Sequence, residues 1–88
     1  MKSQNLSELP LGIEATLVGF ESRLDPQVEA TLLSMGFIPG TTVVVEKKAP
    51  FGGAFAIRIR GGLLALRKSL ARMILVSQTA SEKVNHGP

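Results

Sequence analysis

Two arginines, Arg58 and Arg60, alternate with apolar residues in the stretch APFGGAFAIRIRG, and Arg67 follows shortly after. A guanidinium group is a planar, permanently charged fork that pairs with carboxylates or phosphates. If the stretch is a strand, its period of two puts Arg58 and Arg60 on one face and Phe55, Ile57 and Ile59 on the other. The chemistry on offer is recognition of an acidic group.

Few side chains are placed for covalent or acid–base work. General acid–base catalysis needs paired ionisable groups in contrasting environments, or a histidine within the core. Here the acids are scattered over the first half, and the single histidine, His86, sits in a polar tail. A serine without a neighbouring base is a surface hydroxyl. The segment PFGGAF lacks the Gly-Lys-Ser/Thr ending of a phosphate-binding loop, so its glycines read as a hairpin. There is no cysteine, which excludes disulfides and thiolate metal sites. The expectation is a non-enzyme with no catalytic residues, no cofactor and no metal ligands.

The charge is polarised along the chain. Residues 1–45 carry two basic and five acidic side chains, net −3, whereas residues 46–76 carry seven basic residues against Glu46, net +6. Such a field steers association with an acidic partner. Nucleic acid is one such partner, but the residues interleaved with the arginines are Ala54 and Ala56, and the chain has no Trp or Tyr. The face therefore offers no stacking platform for bases. Protein binding ranks ahead of nucleic acid, and an ordinary solvated face is the plain alternative. The surface expected to meet a partner comprises Phe51, Gly52 and Gly53 at a hairpin tip, with Arg58, Arg60 and Arg67.

These residues need a scaffold. An apolar content of 44% and a mean hydropathy of +0.24 suit one packed domain in 88 residues. Residues 1–5 and 77–88 are polar and short of core formers, so both read as flexible ends around a domain at 6–76. LSELPLG closes on a turn at Pro10–Gly12, and EATLVGF reads as a strand whose glycine marks a bulge. Asp25 as N-cap and Pro26 in the first turn predict a helix with Val28, Leu32 and Met35 on its buried face. Gly36 ends that helix in a left-handed conformation.

Pro39-Gly40 is a type II turn leading into the strand Thr41–Val45, and a hairpin across Phe51–Gly53 leads into AFAIRIR. The last stretch, GGLLALRKSLARMILV, supports two readings. Leu63, Leu66, Leu70 and Ile74 fall at helical spacing, yet Gly61-Gly62 and the apolar MILV favour strand, turn, strand. Short strands with one inserted helix predict a small β-barrel. The opening MKSQNLSELP has no signal-peptide apolar run. No stretch reaches the ~20 apolar residues of a membrane span. A cytoplasmic protein without membrane insertion is expected.

LSELPLG, LLSMGFIPGTTVVVEKKAPFGGAFAIRIRG and LALRKSLARMILV together resemble the FeoA family along Leu6–Val76. Met35-Gly36-Phe37, Pro39-Gly40-Thr41, Ala49-Pro50-Phe51-Gly52 and Ala65-Leu66-Arg67 keep the family's order and spacing. Thr31 departs from it, standing where the family often has arginine. The resemblance implies an SH3-like barrel with helical insertions, which decides the last stretch as strand, turn, strand. It also implies a cytoplasmic accessory protein of bacterial ferrous iron uptake whose partner is the cytoplasmic GTPase part of FeoB, a membrane transporter. An SH3-like regulatory module related to iron-dependent repressors is the runner-up, and a small nucleic-acid-binding barrel the third reading.

Overall fold

Alternation of apolar and polar residues builds most of this molecule, and the computed structural model describes residues 4–50 and 53–78 of it. Two residues, Gln4–Asn5, form β1, and a 3-10 turn at Leu6–Glu8 follows. Glu14–Phe20 forms β2, where buried Ala15 and Leu17 alternate with exposed Glu14 and Val18 and half-buried Thr16. The register of β2 shifts between Leu17 and Gly19, which is the bulge expected at the glycine. Val18, the extra residue at this shift, is exposed.

Pro26–Ser34 forms α1. The Asp25 carboxylate accepts a hydrogen bond from the Gln27 N–H at 2.9 Å, and Pro26 occupies the first turn, where its missing N–H costs nothing. At the other end the Phe37 N–H donates to Leu32 O and the Gly36 N–H to Leu33 O, both at 3.0 Å. With Gly36 at φ +106, this is a Schellman cap. Leu32 and Phe37 supply its hydrophobic contact and are both buried.

Met35 departs from the expected buried face, since it is 37% exposed. It is the C-cap residue, and the chain reverses at the next position. The helical stripe therefore ends one turn early, and Phe37 takes the core place. Thr31, also exposed, donates its hydroxyl to Gln27 O.

The Pro39-Gly40 turn is closed by Thr41 N–H to Ile38 O at 3.0 Å and is tied to β2 by Gly40 N–H to Leu17 O at 2.7 Å. Thr42–Lys48 forms β3, Ala54–Ile59 β4 and Gly62–Arg67 β5. Lys68–Ala71 is a single helical turn, α2, and Ile74–Gln78 forms β6. The last stretch is thus strand, turn, strand. Its helical spacing arises because Leu66 and Ile74 are core residues of two different strands.

All pairings are antiparallel, in the order β1-β6-β2-β3-β4-β5. The sheet curls without closing into a full barrel, as no pairing joins β1 to β5 among the described residues. The 3-10 turn and α2 pack against each other and set Leu6, Leu9 and Ala71, all buried, into the core. The sheet also takes in residues read as flexible ends. Gln4 and Asn5 pair with Val76 and Leu75, and Ser77 and Gln78 pair with Thr16 and Ala15. All four are half-buried: Gln4 and Asn5 form the two-residue edge strand, and Ser77 and Gln78 are the last residues of β6.

Candidate functional site

Strands β3, β4 and β5 carry the basic half of the chain, and their pleat sorts it between two faces. The inner face holds Val43, Val45, Phe55, Ile57, Ile59 and Leu66, all buried. On the outer face Ala54, Ala56 and Arg58 of β4 stand opposite Arg67, Ala65 and Leu63 of β5. Small side chains in the middle of this face leave a shallow open trough of about 450 Å³. Its floor is Ala54, Ala56, Ala65 and Leu63, and Lys47 forms its wall on the β3 side. Leu63 is 56% exposed. An apolar floor beside a cationic wall can hold an apolar side chain while pairing a neighbouring carboxylate.

The register between β3 and β4 shifts between Val45 and Lys47, so Glu46 is an extra residue in β3. The Arg58 Nε–H donates to Glu46 Oε2 at 2.8 Å. Glu46 is the sole acid among residues 46–76, and this ion pair partly neutralises Arg58. Beyond the bulge, Lys47 lies opposite Ala56 on the outer face, and Lys48 lies opposite the core residue Phe55. The Lys48 ammonium sits 5.5 Å from the Phe55 ring centroid and donates to Ser7 O at 3.3 Å. Lys48 therefore closes the core end of the strand against the 3-10 turn.

Among the residues expected to meet a partner, Arg58 and Arg67 lie on the outer face. Arg67 is opposite Ala54, four residues along β4 from Arg58, which is ~13 Å at the rise of a strand. The two bracket the trough rather than cluster. Arg60 does not alternate with Arg58 as expected. Strand β4 stops at Ile59, and Arg60 (φ +52) and Gly61 (φ +82) form the two-residue turn between β4 and β5. Those angles are type I′, the turn that matches the twist of a tight hairpin. The Arg60 stem points back toward α1, where its Cδ would lie 3.1 Å from a Cβ placed on Gly36.

Gly53 precedes β4 and is half-buried, donating its N–H to Pro50 O at 3.3 Å. Ala49 N–H to Ala54 O, at 3.2 Å, closes the β3–β4 hairpin. Phe51 and Gly52 lie outside the described residues.

Sequence reasoning missed Lys47, Leu63 and Ala65. Once β5 is read as a strand, the alternation Leu63, Ala65, Arg67 against Leu64, Leu66 signals the outer face. Among the described residues, no three His, Cys, Asp or Glu side chains come together where they could hold a metal ion. Nor is any helix there long and apolar enough to cross a membrane.

Comparison with known proteins agrees with this architecture. The FeoA-like protein from Clostridium acetobutylicum is 35% identical, over 89% of this chain and 88% of that one, with a TM-score of 0.77. FeoA from Stenotrophomonas maltophilia, solved with zinc and described as a procaryotic SH3 domain protein, is 28% identical over 89% of this chain and 92% of that one, with a TM-score of 0.71. A manganese-dependent transcriptional repressor in complex with manganese is 22% identical over 90% of this chain and 38% of that one, with a TM-score of 0.80. That last likeness is one of fold alone. The family model described as the FeoA domain matches residues 4–78. With every strand of the sheet inside that match, the chain belongs to the FeoA family.

Proposed function

We propose that this chain is an accessory protein of bacterial ferrous iron uptake, acting in the cytoplasm by binding the cytoplasmic GTPase part of a FeoB-type transporter. Family membership supports the pathway, and the role put forward for the Stenotrophomonas maltophilia relative is that of a ferrous iron transport activating factor. The observation that carries a binding role is the outer face of β3–β5. There an exposed apolar trough lies in the basic half of the chain, with Lys47 at its wall and Arg58 and Arg67 at its ends. Interfaces commonly combine an apolar centre with a charged rim. Proposed contacts are Arg58, Arg67, Arg60 at the adjoining turn, and the Phe51–Gly53 tip. Among the described residues of β3–β5 the one aromatic, Phe55, is buried, so these strands offer no base a stacking surface, which favours protein over nucleic acid.

The test is ferrous iron uptake and iron-limited growth in a strain deleted for this chain and complemented with the parent. Uptake should fall on deletion and return with the parent. Undiminished uptake without the chain overturns the proposal.

A further inference from the structure

Among the described residues, strand β5 ends the sheet and no strand pairs with its outer edge. Among the described residues, no backbone hydrogen bond joins residues 62–66 to anything beyond the β4 ladder, while the Arg67 carbonyl, as the N-cap of α2, is taken up by that helical turn. The two-residue turn makes Ile59 and Gly62 a hydrogen-bonded pair. Pairs then alternate, so Gly62, Leu64 and Leu66 bond to β4, Leu63 and Ala65 turn their N–H and C=O outward, and Arg67 adds its N–H, its C=O being the N-cap carbonyl of α2. Six residues give an edge of ~20 Å. Natural sheets guard such edges with internal charges, prolines, bulges or short strands. The opposite edge, β1, is guarded by being two residues long. In contrast, β5 reads GLLALR, with no proline, no charge before its last residue and no register shift against β4.

Charge selects the occupant. Cations flank both ends of this edge, with Arg60 at the turn and Arg67 and Lys68 at the far end. Two copies of β5 paired antiparallel would bring Arg67 and Lys68 of one beside Arg60 of the other. Paired in parallel, each cation would meet its own copy. Either arrangement sets like charges together, which destabilises strand pairing. An extended segment with an apolar middle and acidic ends meets no such conflict. Its side chains on the outer side would continue the trough past Leu63 and Ala65.

We infer that the β5 edge receives such a segment of the protein partner by strand addition. This inference rests on the reading above that the chain docks onto a protein.

The experiment follows amide hydrogen exchange at Leu63, Ala65 and Arg67, with two probes. One is the purified cytoplasmic part of a FeoB-type transporter; the other is the capped peptide Asp-Glu-Val-Leu-Val-Asp-Glu. The expected result is slowed exchange at those three amides with either probe. Binding should weaken about tenfold in Ala65→Pro, which deletes one outward N–H at a position where an edge strand tolerates proline. A peptide with Lys in place of Asp and Glu should bind at least tenfold more weakly, and unchanged melting of Ala65→Pro shows that the fold is kept.

If the transporter part binds and protects other amides, the strand-addition inference is overturned while the proposed function stands. If the transporter part does not bind at all, the proposed function fails. The peptide then decides the edge: protection lost in Ala65→Pro upholds it, and no protection overturns it. Protection already present in the free chain and abolished by removing residues 79–88 also overturns it, since the chain's own tail would then be the occupant.

Discussion

Replacing Gly36 by alanine tests the junction between the helix and the sheet. Gly36 holds φ +106, and a Cβ there would lie 3.1 Å from the Arg60 Cδ. Two costs follow, and they are separable. A side chain at positive φ meets its own backbone, at about 1–2 kcal/mol. The contact with Arg60 adds about 0.5–1 kcal/mol, because a flexible, exposed side chain can leave its rotamer to make room. The sum, ~1.5–3 kcal/mol, lowers the melting temperature by roughly 6–24 °C for a domain of this size. In an Arg60→Ala background only the backbone part remains, so a double-mutant cycle should show a coupling of about 0.5–1 kcal/mol. Chemical and thermal unfolding of the four proteins measures this. Gly36→Ala melting within a degree of the parent would refute the backbone argument. Full rescue by Arg60→Ala would refute the division, leaving only a clash.

Leu32→Ala should cost ~2–5 kcal/mol, since the side chain is buried beneath the Phe37 cap. Met35→Ala should cost well under 1 kcal/mol, as expected of an exposed surface position; equal losses in denaturant melts would contradict the cap geometry. The Glu46–Arg58 pair is 35% and 52% exposed on its two side chains, which limits its worth to ~0–1 kcal/mol. Arg58→Glu should set two carboxylates together and destabilise slightly, while Glu46→Arg with Arg58→Glu restores the parent's melting. A swap no better than the single variant would show the pair to be incidental.

Local signals carried much of this fold. The bounds of β2, the Asp25–Pro26 helix start, the glycine turns and the two faces of β4 follow from short-range backbone chemistry. Met35 fails for a reason outside helical periodicity. It follows Leu32 at the spacing of one turn, but Gly36 has already reversed the chain, and the adjacent Phe37 reaches the core. Arg60 fails similarly, because a period of two does not say where a strand stops. The Arg60-Gly61 turn does. Gln4, Asn5, Ser77 and Gln78 look like tails by composition, and only their pairing across the sheet reveals them as strands. The trough was half legible: Ala54 and Ala56 mark a flat face, but Leu63 and Ala65 join it only once β5 is known to be a strand. Lys47 reaches the face through the bulge at Glu46, for which no sequence signal stands out.

The partner face is tested most directly by titrating the purified cytoplasmic part of a FeoB-type transporter with the parent and with Lys47→Glu plus Arg67→Glu. Both residues are exposed, so the double variant should melt within about 1 kcal/mol of the parent. Its affinity should fall tenfold or more, with a weaker dependence on salt, because the removed cations act on an acidic partner. Equal affinity and equal salt dependence in a folded double variant would contradict the assignment of this face.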